Sequence, residues 1–256
     1  MVARTSLLAV LLLLVRATLA DAAWTVASAE TEPGAAPGIE RRHIVVTGPA
    51  AGDEATIELA LFSTKSAAVR VVDNPGGDDL SSVAKRLRTF AGVNGGYFDP
   101  QNAPVGLVIS DGKMIAPFRK ARLLSGVLVF NKGRVELVRS TEYSPRKTGT
   151  AALQCGPFLV DGGAPVAGLN NTRSARRTFF ISTGSDRAGM GFCSAVTLAE
   201  MGEILATPRV AGDLKIQRAL NFDGGSSSAF WFAGKDGPFS IGEFKTVRNF
   251  VVVTPK

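Results

Sequence analysis

Two short turns combine carboxylate, amide and hydroxyl side chains with paired glycines. The first covers residues 94–99 (Asn-Gly-Gly-Tyr-Phe-Asp), and the second covers residues 220–228 (Leu-Asn-Phe-Asp-Gly-Gly-Ser-Ser-Ser). Adjacent glycines allow a backbone to adopt positive φ and to approach a ligand closely. Asn-Gly and Asp-Gly pairs are also typical of tight hairpin turns, which is the alternative interpretation of each turn taken alone. Because both turns carry the same combination of groups, we interpret them as parts of one polar site.

The side chains of these turns suit carboxylate catalysis or the binding of a hard metal ion. Histidine and cysteine chemistry is nearly excluded, because the chain has one histidine, His43, and two cysteines, Cys155 and Cys193. A zinc site built on histidines is not available, and a Ser-His-Asp or Cys-His arrangement would have to use His43. We expect His43 to be an ordinary strand residue. The oxygen atoms of the two turns are therefore the best candidates for chemistry.

Three arginines form a second cluster, over residues 170–178 (Asn-Asn-Thr-Arg-Ser-Ala-Arg-Arg-Thr), just before a strand-like run at 179–182. The planar guanidinium group of arginine suits two-point contact with phosphate or carboxylate. The alternative is a solvated loop of cations, and we favour it for Arg173. Arg177 adjoins the strand, so we predict that it projects into the site.

The elements that must position these groups are mostly strands. Apolar, β-branched runs separated by turn residues recur from residue 43 onward, with hairpins predicted over 106–116 and 126–138. Two segments predict helices: Asp79 caps apolar residues spaced for one helix face over 80–87, and Thr197 with Glu200 forms a capping box before 198–205. We predict an α+β fold, a single domain built on an extended, largely antiparallel mixed sheet with a few flanking helices.

The N-terminus has the features of an export signal. Arg4 precedes an apolar run over residues 7–15, which is too short for a bilayer span of about 20 residues, and small residues follow it. We predict a signal peptide over 1–22, cleaved after Ala20 or Ala22, then a disordered lead-in over 23–40 and one domain over 41–256. The mature protein is expected in the periplasm or outside the cell, without a transmembrane segment.

The formal net charge of the whole chain is +7, and removal of residues 1–20 takes away Arg4 and Arg16 and leaves +5. The remaining cations are scattered, which indicates modest attraction to anionic substrates and not a nucleic-acid surface. In an oxidising compartment Cys155 and Cys193 could form a disulfide, or both could be buried thiols. The sequence leaves both states open.

Six segments, taken in order, resemble the phosphodiester glycosidase family from about residue 90 to the C-terminus. They lie at residues 93–98, 106–112, 155–160, 177–178, 198–201 and 219–226. Two regions depart from the family pattern. Residues 179–182 are Phe-Phe-Ile-Ser, where the family usually continues with Ala-Ile-Gly, and Lys245 stands where it often has an arginine, with Arg248 displaced. Lysine keeps the charge but loses the two-point contact, so an identical substrate specificity does not follow.

The resemblance implies hydrolysis of a sugar-1-phosphodiester, of the N-acetylglucosamine type, at the glycosidic carbon. The products are a sugar and a phosphomonoester, which is a good leaving group because its second pKa is near ~6. On this hypothesis Asp223 is the catalytic carboxylate, Asp99 is a second one, and Arg177 binds the phosphate. The other substrate-binding residues that the resemblance implies are Asn94, Gly95, Gly96, Thr178, Asn221, Gly224, Gly225 and Ser226.

Two alternatives remain open. The chain could be a non-catalytic glycan-binding or cell-envelope module on the same fold. Asp99, Asn221 and Asp223 could instead hold a Ca²⁺ or Mg²⁺ ion through oxygen, although no cofactor is implied with certainty. The expected partner is a small sugar phosphate or an envelope glycan, and nucleic acid is not expected.

Overall fold

The computed structural model describes residues 23–145 and 149–256, so the predicted signal peptide lies outside the described residues. Strands are numbered in chain order, and every strand pair within these ranges is antiparallel. The first sheet has eight strands, in the order β1 (Thr25–Pro33), β2 (Ile39–Thr47), β3 (Glu54–Ser63), β14 (Arg187–Val196), β13 (Ala175–Ser182), β15 (Arg218–Asn221), β11 (Phe158–Asp161) and β12 (Ala164–Pro165).

The other two sheets have five strands each. The second sheet has the order β7 (Lys113–Ala116), β6 (Val108–Ser110), β10 (Ala151–Cys155), β8 (Gly126–Asn131) and β9 (Arg134–Arg139). The third has the order β17 (Gly237–Ile241), β16 (Phe230–Gly234), β5 (Ala91–Asn94), β18 (Asn249–Pro255) and β4 (Ala67–Asp73). The predicted hairpins are confirmed as the pairs β6–β7 and β8–β9.

The three sheets show that the predicted α+β fold was wrong. The chain is mostly β, and its strands are divided among three antiparallel sheets and not gathered in one extended sheet with flanking helices. The physical reason is visible in β3 and β14, which bury consecutive residues and therefore have both faces covered. A strand that is apolar on both faces requires a packed layer on each side, which a single solvated sheet does not provide.

Side chains from all three sheets fill one shared core. Its large, fully buried members include Phe62, Phe158, Phe180, Leu153, Phe230 and Val251. The close packing of such a core fixes the ends of the strands that enter it. The turns after β5 and β15 therefore start from rigid positions.

Two helices cover outer faces of the sheets, and both confirm the sequence prediction. Helix α1 (Leu80–Leu87) begins at Asp79, whose carboxylate accepts a hydrogen bond from the Ser82 backbone N–H, and it packs on the third sheet. Helix α2 (Leu198–Ala206) begins at the predicted Thr197 capping box and packs on the first sheet. In the described ranges, neither helix has the length or the apolar character of a membrane span.

Residues 25–33 are ordered, which corrects the prediction of a disordered lead-in there. They form the edge strand β1, which pairs with β2 along its length. The segment is poor in large apolar residues, which favoured disorder, but an edge strand exposes most of its side chains and needs few of them. An ion pair between Glu32 and Arg41, 2.8 Å apart, joins the two strands.

Candidate active site

The structure brings the two glycine-rich turns into direct contact. Asn94 is the last residue of β5 in the third sheet, and its amide Nδ2 donates a 2.8 Å hydrogen bond to the backbone carbonyl of Asp223. In return, the Asp223 N–H donates to the Gly95 carbonyl at 3.0 Å. These two bonds confirm that the turns lie together, and they join the first sheet to the third.

Both polar atoms of the Asn94 side chain help to hold this junction together. Its Oδ1 accepts hydrogen bonds from the Thr178 hydroxyl at 2.7 Å and from the Ala229 N–H at 3.0 Å. Both Asn94 and Thr178 are buried. These contacts favour a positioning role for the two residues, since their polar groups are already partnered within the protein.

The glycines of the first turn have a packing role that the sequence did not indicate. Neither Gly95 nor Gly96 has positive φ. A Cβ at Gly95 would lie 2.1 Å from the Asn249 Oδ1, and the Gly96 N–H donates to that same oxygen at 2.7 Å. The turn after β5 is therefore pressed against the start of β18, and its glycines permit contact with protein and not with a ligand.

The glycines of the second turn are placed differently. Gly225 has φ of +65° and begins a 3₁₀ turn (Gly225–Ser227), and a Cβ there would meet no atom within 4 Å. The N–H groups of Gly225 and Ser226 make no hydrogen bond to other described residues. Free N–H groups at a turn of this kind suit an anion. This part of the predicted binding surface is open.

Asp223 lies partly buried at the start of this open turn. Burial raises the pKa of its carboxyl above the ordinary value, and the positive charge of Lys245 and the Gly224 N–H, 3.0 Å from Oδ1, partly offset the shift. The Ser227 hydroxyl also acts on this carboxyl in the same direction, although its geometry falls short of a full hydrogen bond. A desolvated carboxylate beside a cation is a typical catalytic environment.

Arg177 supplies a buried cation to the same place. It lies on β13 with 8% exposure, and burial lowers the pKa of its guanidinium, which remains charged. Its Nε donates to the Val196 carbonyl at 2.9 Å and its Nη2 donates to the Arg173 carbonyl at 2.6 Å. The third nitrogen, Nη1, makes no hydrogen bond within the described ranges and lies 3.9 Å from the Cβ position at Gly224. The structure thus fixes the guanidinium and leaves one nitrogen available at the Asp223 turn.

Tyr97 and Asn221 form the floor between the turns. The Tyr97 hydroxyl donates to the Gly156 carbonyl at 2.5 Å, and the Asn221 Nδ2 donates to the same carbonyl at 3.0 Å. Burial raises the pKa of Tyr97 well above its ordinary value, and the charge of Asp223 raises it further. Tyr97 is therefore a neutral hydroxyl near the carboxylate.

Several polar atoms around the turns are buried without a hydrogen-bond partner among the described residues. They are the Asn221 Oδ1, the Ser227 Oγ, the Ser228 Oγ and the Asn249 Nδ2. Buried polar groups are normally paired, so a cluster of unpaired ones requires an explanation such as a bound ligand. Sequence reasoning missed Tyr97 and Asn249 as site residues. Tyr97 lay within the first motif, whereas Asn249 follows no recognisable pattern.

One predicted residue, Asp99, lies apart from this arrangement, and Ser226 is exposed at its edge. The Asp99 Oδ1 accepts hydrogen bonds from the N–H groups of Gln101 and Ala103, at 3.0 and 2.8 Å, so its carboxylate closes its own turn. Its hydrogen bonds do not reach Asp223. Ser226 is at the site but faces outward, and its carbonyl accepts the Phe244 N–H at 2.7 Å.

The cation expected at Lys245 is at the site, and the displaced Arg248 is not. Lys245 lies over the Phe98 ring at 4.8 Å, and its charge acts on Asp223. Arg248 instead forms an ion pair with Asp73.

Both cysteines, Cys155 and Cys193, are buried free thiols, and burial raises the pKa of each to about 12.

The donor set for a metal ion is incomplete in the described ranges. They contain no group of three His, Cys, Asp or Glu side chains that could hold an ion. Of the three ligands suggested by the sequence, Asp99 is engaged in its turn, whereas the Asn221 Oδ1 and the Asp223 carboxylate lie at the site. These residues do not form an evident calcium or magnesium site.

Comparisons with known proteins agree with the sequence resemblance. The catalytic domain of zebrafish N-acetylglucosamine-1-phosphodiester alpha-N-acetylglucosaminidase, auto-inhibited by its pro-peptide, is similar with a TM-score of 0.65 and 14% identity, over 91% of this chain and 89% of that one. A hypothetical protein from Synechocystis is similar with a TM-score of 0.61 and 14% identity, over 90% of this chain and 64% of that one. At this identity the likeness shows the fold alone, and a comparison with curated proteins finds no match.

The family of the chain is shown by its sequence. The sequence model of the family described as phosphodiester glycosidase matches residues 88–254, which is more than half of the chain. That range contains both turns, Arg177 and Lys245. The chain therefore belongs to the phosphodiester glycosidase family.

Proposed function

We propose that this protein hydrolyses a sugar-1-phosphodiester, of the N-acetylglucosamine type, at the glycosidic carbon. Water supplies a hydroxyl group to the sugar carbon, the bond from that carbon to the phosphate oxygen breaks, the bonding electrons leave with the phosphomonoester, and the remaining proton of the water is released to solvent. The observation that carries the proposal is the placement of the desolvated Asp223 carboxyl directly before Gly224, whose Cβ position lies 3.9 Å from the Nη1 of the buried Arg177.

Asp223 is the carboxylate that activates water or attacks the sugar carbon. The ionised form is required for either role, and Lys245 favours it by lowering the pKa of the carboxyl against the effect of burial. A second carboxylate is dispensable, since a phosphate leaving group departs with little help from an acid. Asp223 can therefore act without Asp99, whose carboxylate is engaged in its own turn.

The phosphate is held by donors at the turn that follows this carboxylate. Arg177 provides one guanidinium nitrogen, and Gly225 and Ser226 provide two free N–H groups at the 3₁₀ turn. Lys245 adds a second positive charge near the carboxylate. Donors that are fixed before the substrate arrives stabilise the charge that develops on the leaving phosphate at little reorganisation cost.

The test is an assay of the purified protein on a panel of sugar-1-phosphodiesters that begins with N-acetylglucosamine. Release of free sugar and phosphomonoester is expected. Inactivity across the panel, with binding of the same sugars retained, would instead support a non-catalytic glycan-binding or envelope module.

Two arginine variants test the phosphate site. Arg177→Ala is expected to lower kcat/KM by about 100-fold, because it removes a fixed donor to the leaving group. Arg173→Ala is the matched control, since Arg173 is exposed and its hydrogen bond to Arg177 is made by the backbone carbonyl. Equal losses in the two variants would contradict the assignment of Arg177.

Export is part of the proposal and rests on the N-terminal sequence. The apolar run at 7–15 and the small residues after it indicate cleavage after Ala20 or Ala22. N-terminal sequencing of the protein recovered outside the cytoplasm tests this. A retained Met1 would contradict it.

A further inference from the structure

An exposed aromatic side chain lies next to the catalytic turn. Phe244 is 77% exposed, more than any other large hydrophobic residue in the described ranges. Its backbone N–H donates to the carbonyl of Ser226, three residues after Asp223, at 2.7 Å. The ring is therefore at the edge of the proposed site.

The ring of Phe244 is held in place from one side. The guanidinium carbon of Arg176 lies 4.2 Å from its centroid, and the same guanidinium lies 5.0 Å from the ring of Phe192. Arg176 is fixed in turn by hydrogen bonds to the carbonyls of Ser228 and Gly242. A cation stacked on one face of an aromatic ring orients it and leaves the opposite face for another partner.

A cavity of about 410 Å³ borders Phe244 and has the lining expected for a sugar. Trp231 adds a second aromatic wall, and Ser81, Ser240 and Glu243 add polar groups. The two serine hydroxyls make no hydrogen bond to other described residues, whereas the Glu243 Oε1 accepts the Leu80 N–H at 3.0 Å and leaves its second oxygen available. Aromatic surface with a few placed polar groups is the usual lining of a small-molecule site.

The cavity and the catalytic turn share one wall. Lys245 lines the cavity, and its charge acts on the Asp223 carboxyl. A ligand in the cavity would therefore lie close to the reacting phosphodiester. Pocket volume alone would admit many ligands, but the aromatic ring with one open face favours the apolar face of a pyranose.

We propose that this cavity binds a pyranose ring of the substrate and that Phe244 is the platform on which the ring stacks. The inference rests on the proposed function and specifies which residue selects the substrate. The pyranose has two sources, the sugar at the cleaved bond or a sugar in the alcohol part of the phosphodiester. The chemistry of recognition is the same for both.

Two substrates separate these sources. One is N-acetylglucosamine-1-phosphate methyl diester, and the other carries a methyl hexoside in place of the methyl group. Phe244→Ala is expected to raise KM about tenfold with kcat unchanged, a change equivalent to about 1.4 kcal/mol and comparable with an aromatic contact. A rise with both substrates indicates the cleaved sugar, and a rise confined to the hexoside diester indicates the alcohol part.

Two further variants control this experiment. Phe244→Tyr retains the ring and is expected to keep the wild-type KM. Leu123→Ala removes another exposed apolar side chain, of 52% exposure, and is expected to change neither constant. Unchanged KM in Phe244→Ala with both substrates, or a fall in kcat without a rise in KM, would overturn the assignment of Phe244 as the platform.

A binding measurement keeps this inference separate from the catalytic proposal. Phe244→Trp places a fluorescent reporter on the platform, and titration with methyl N-acetylglucosaminide and a methyl hexoside is compared with the wild type. Because Trp231 also lines the cavity, the wild type can respond as well, and a saturable change in the variant that is larger than the wild-type change supports the sugar cavity even if no diester is hydrolysed. The absence of such a change with both glycosides would overturn the cavity assignment even if hydrolysis occurs.

Discussion

The turn after β15 and the turn after β5 contain similar residues but differ in what their polar groups contact. At the β5 turn, Asn94 makes hydrogen bonds to three other residues, and Gly95 lies against Asn249. At the β15 turn, Asp223 is desolvated and Gly225 faces open space. The polar groups of the first turn are therefore partnered within the protein and hold the site together, whereas the second turn keeps donors and a carboxylate free for a ligand.

The variant Asp223→Asn, at the turn after β15, is expected to have the largest effect on activity. We expect kcat to fall by about 1,000-fold, as for other essential carboxylates. Stability should not fall at neutral pH. Burial raises the pKa of Asp223, so the folded protein holds this proton more tightly than the unfolded chain, and the carboxyl lowers stability above its unfolded pKa.

Kinetics and thermal unfolding at pH 7 measure both effects. Removing the carboxylate should leave the melting temperature unchanged or higher. A folded variant with full activity would contradict the catalytic assignment, and a large loss of stability would show that Asp223 also supports the fold.

Asn94→Ala should show the opposite behaviour. It removes the acceptor for Thr178 and Ala229 and the donor to the Asp223 carbonyl, so buried groups lose their partners. We expect the free energy of unfolding to fall by about 3 kcal/mol. Urea unfolding checks this value, and a loss of activity without a loss of stability would place Asn94 among the groups that act on the substrate.

A pair of glycine variants compares the two turns directly. Gly95→Ala puts a Cβ 2.1 Å from the Asn249 Oδ1 and is expected to cost about 2 kcal/mol through overpacking. Gly225→Ala meets no atom within 4 Å and is expected to cost about 1 kcal/mol, because alanine must adopt φ near +65°. The melting temperatures of the two variants should differ in this order, and the reverse order would contradict the packing comparison.

The smallest expected effect concerns pH. The acid limb of kcat/KM should follow the pKa of Asp223, which burial raises, and activity should be lost as the pH falls through that pKa. Lys245→Met removes a charge that lowers this pKa, so the limb should move to higher pH.

Lys113→Met is the control, since Lys113 is exposed on β7 in the second sheet. Profiles recorded at low salt show the shift best, because salt screens exposed charges. A limb that stays in place in Lys245→Met would show that Lys245 does not act on the catalytic carboxyl.

Local patterns in the sequence predicted much of the structure. The caps at Asp79 and Thr197 located both helices, and the two acidic glycine turns were correctly placed together. These features depend on residues close together in the chain. The division of strands among three sheets depends on which apolar faces meet, and hydrophobic periodicity does not specify that.

The same limit explains which site residues the sequence missed. Asn249 meets Gly95 and Gly96 only because β18 pairs with β5. Phe244 and Arg176 meet across 68 positions of the chain, and no local pattern joins them. The Asp99 carboxylate resembled a catalytic group by composition, but its hydrogen bonds within the turn are set by a backbone path that residue types alone do not reveal.

Hydrolysis in water labelled with ¹⁸O tests the central claim, attack at the sugar carbon, most directly. The substrate is N-acetylglucosamine-1-phosphate methyl diester, and the phosphomonoester product is analysed by mass spectrometry. We predict that the methyl phosphate contains no label, because the bond between the sugar carbon and the phosphate oxygen is the one that breaks. Incorporation of ¹⁸O into the methyl phosphate would mean attack at phosphorus and would contradict this account.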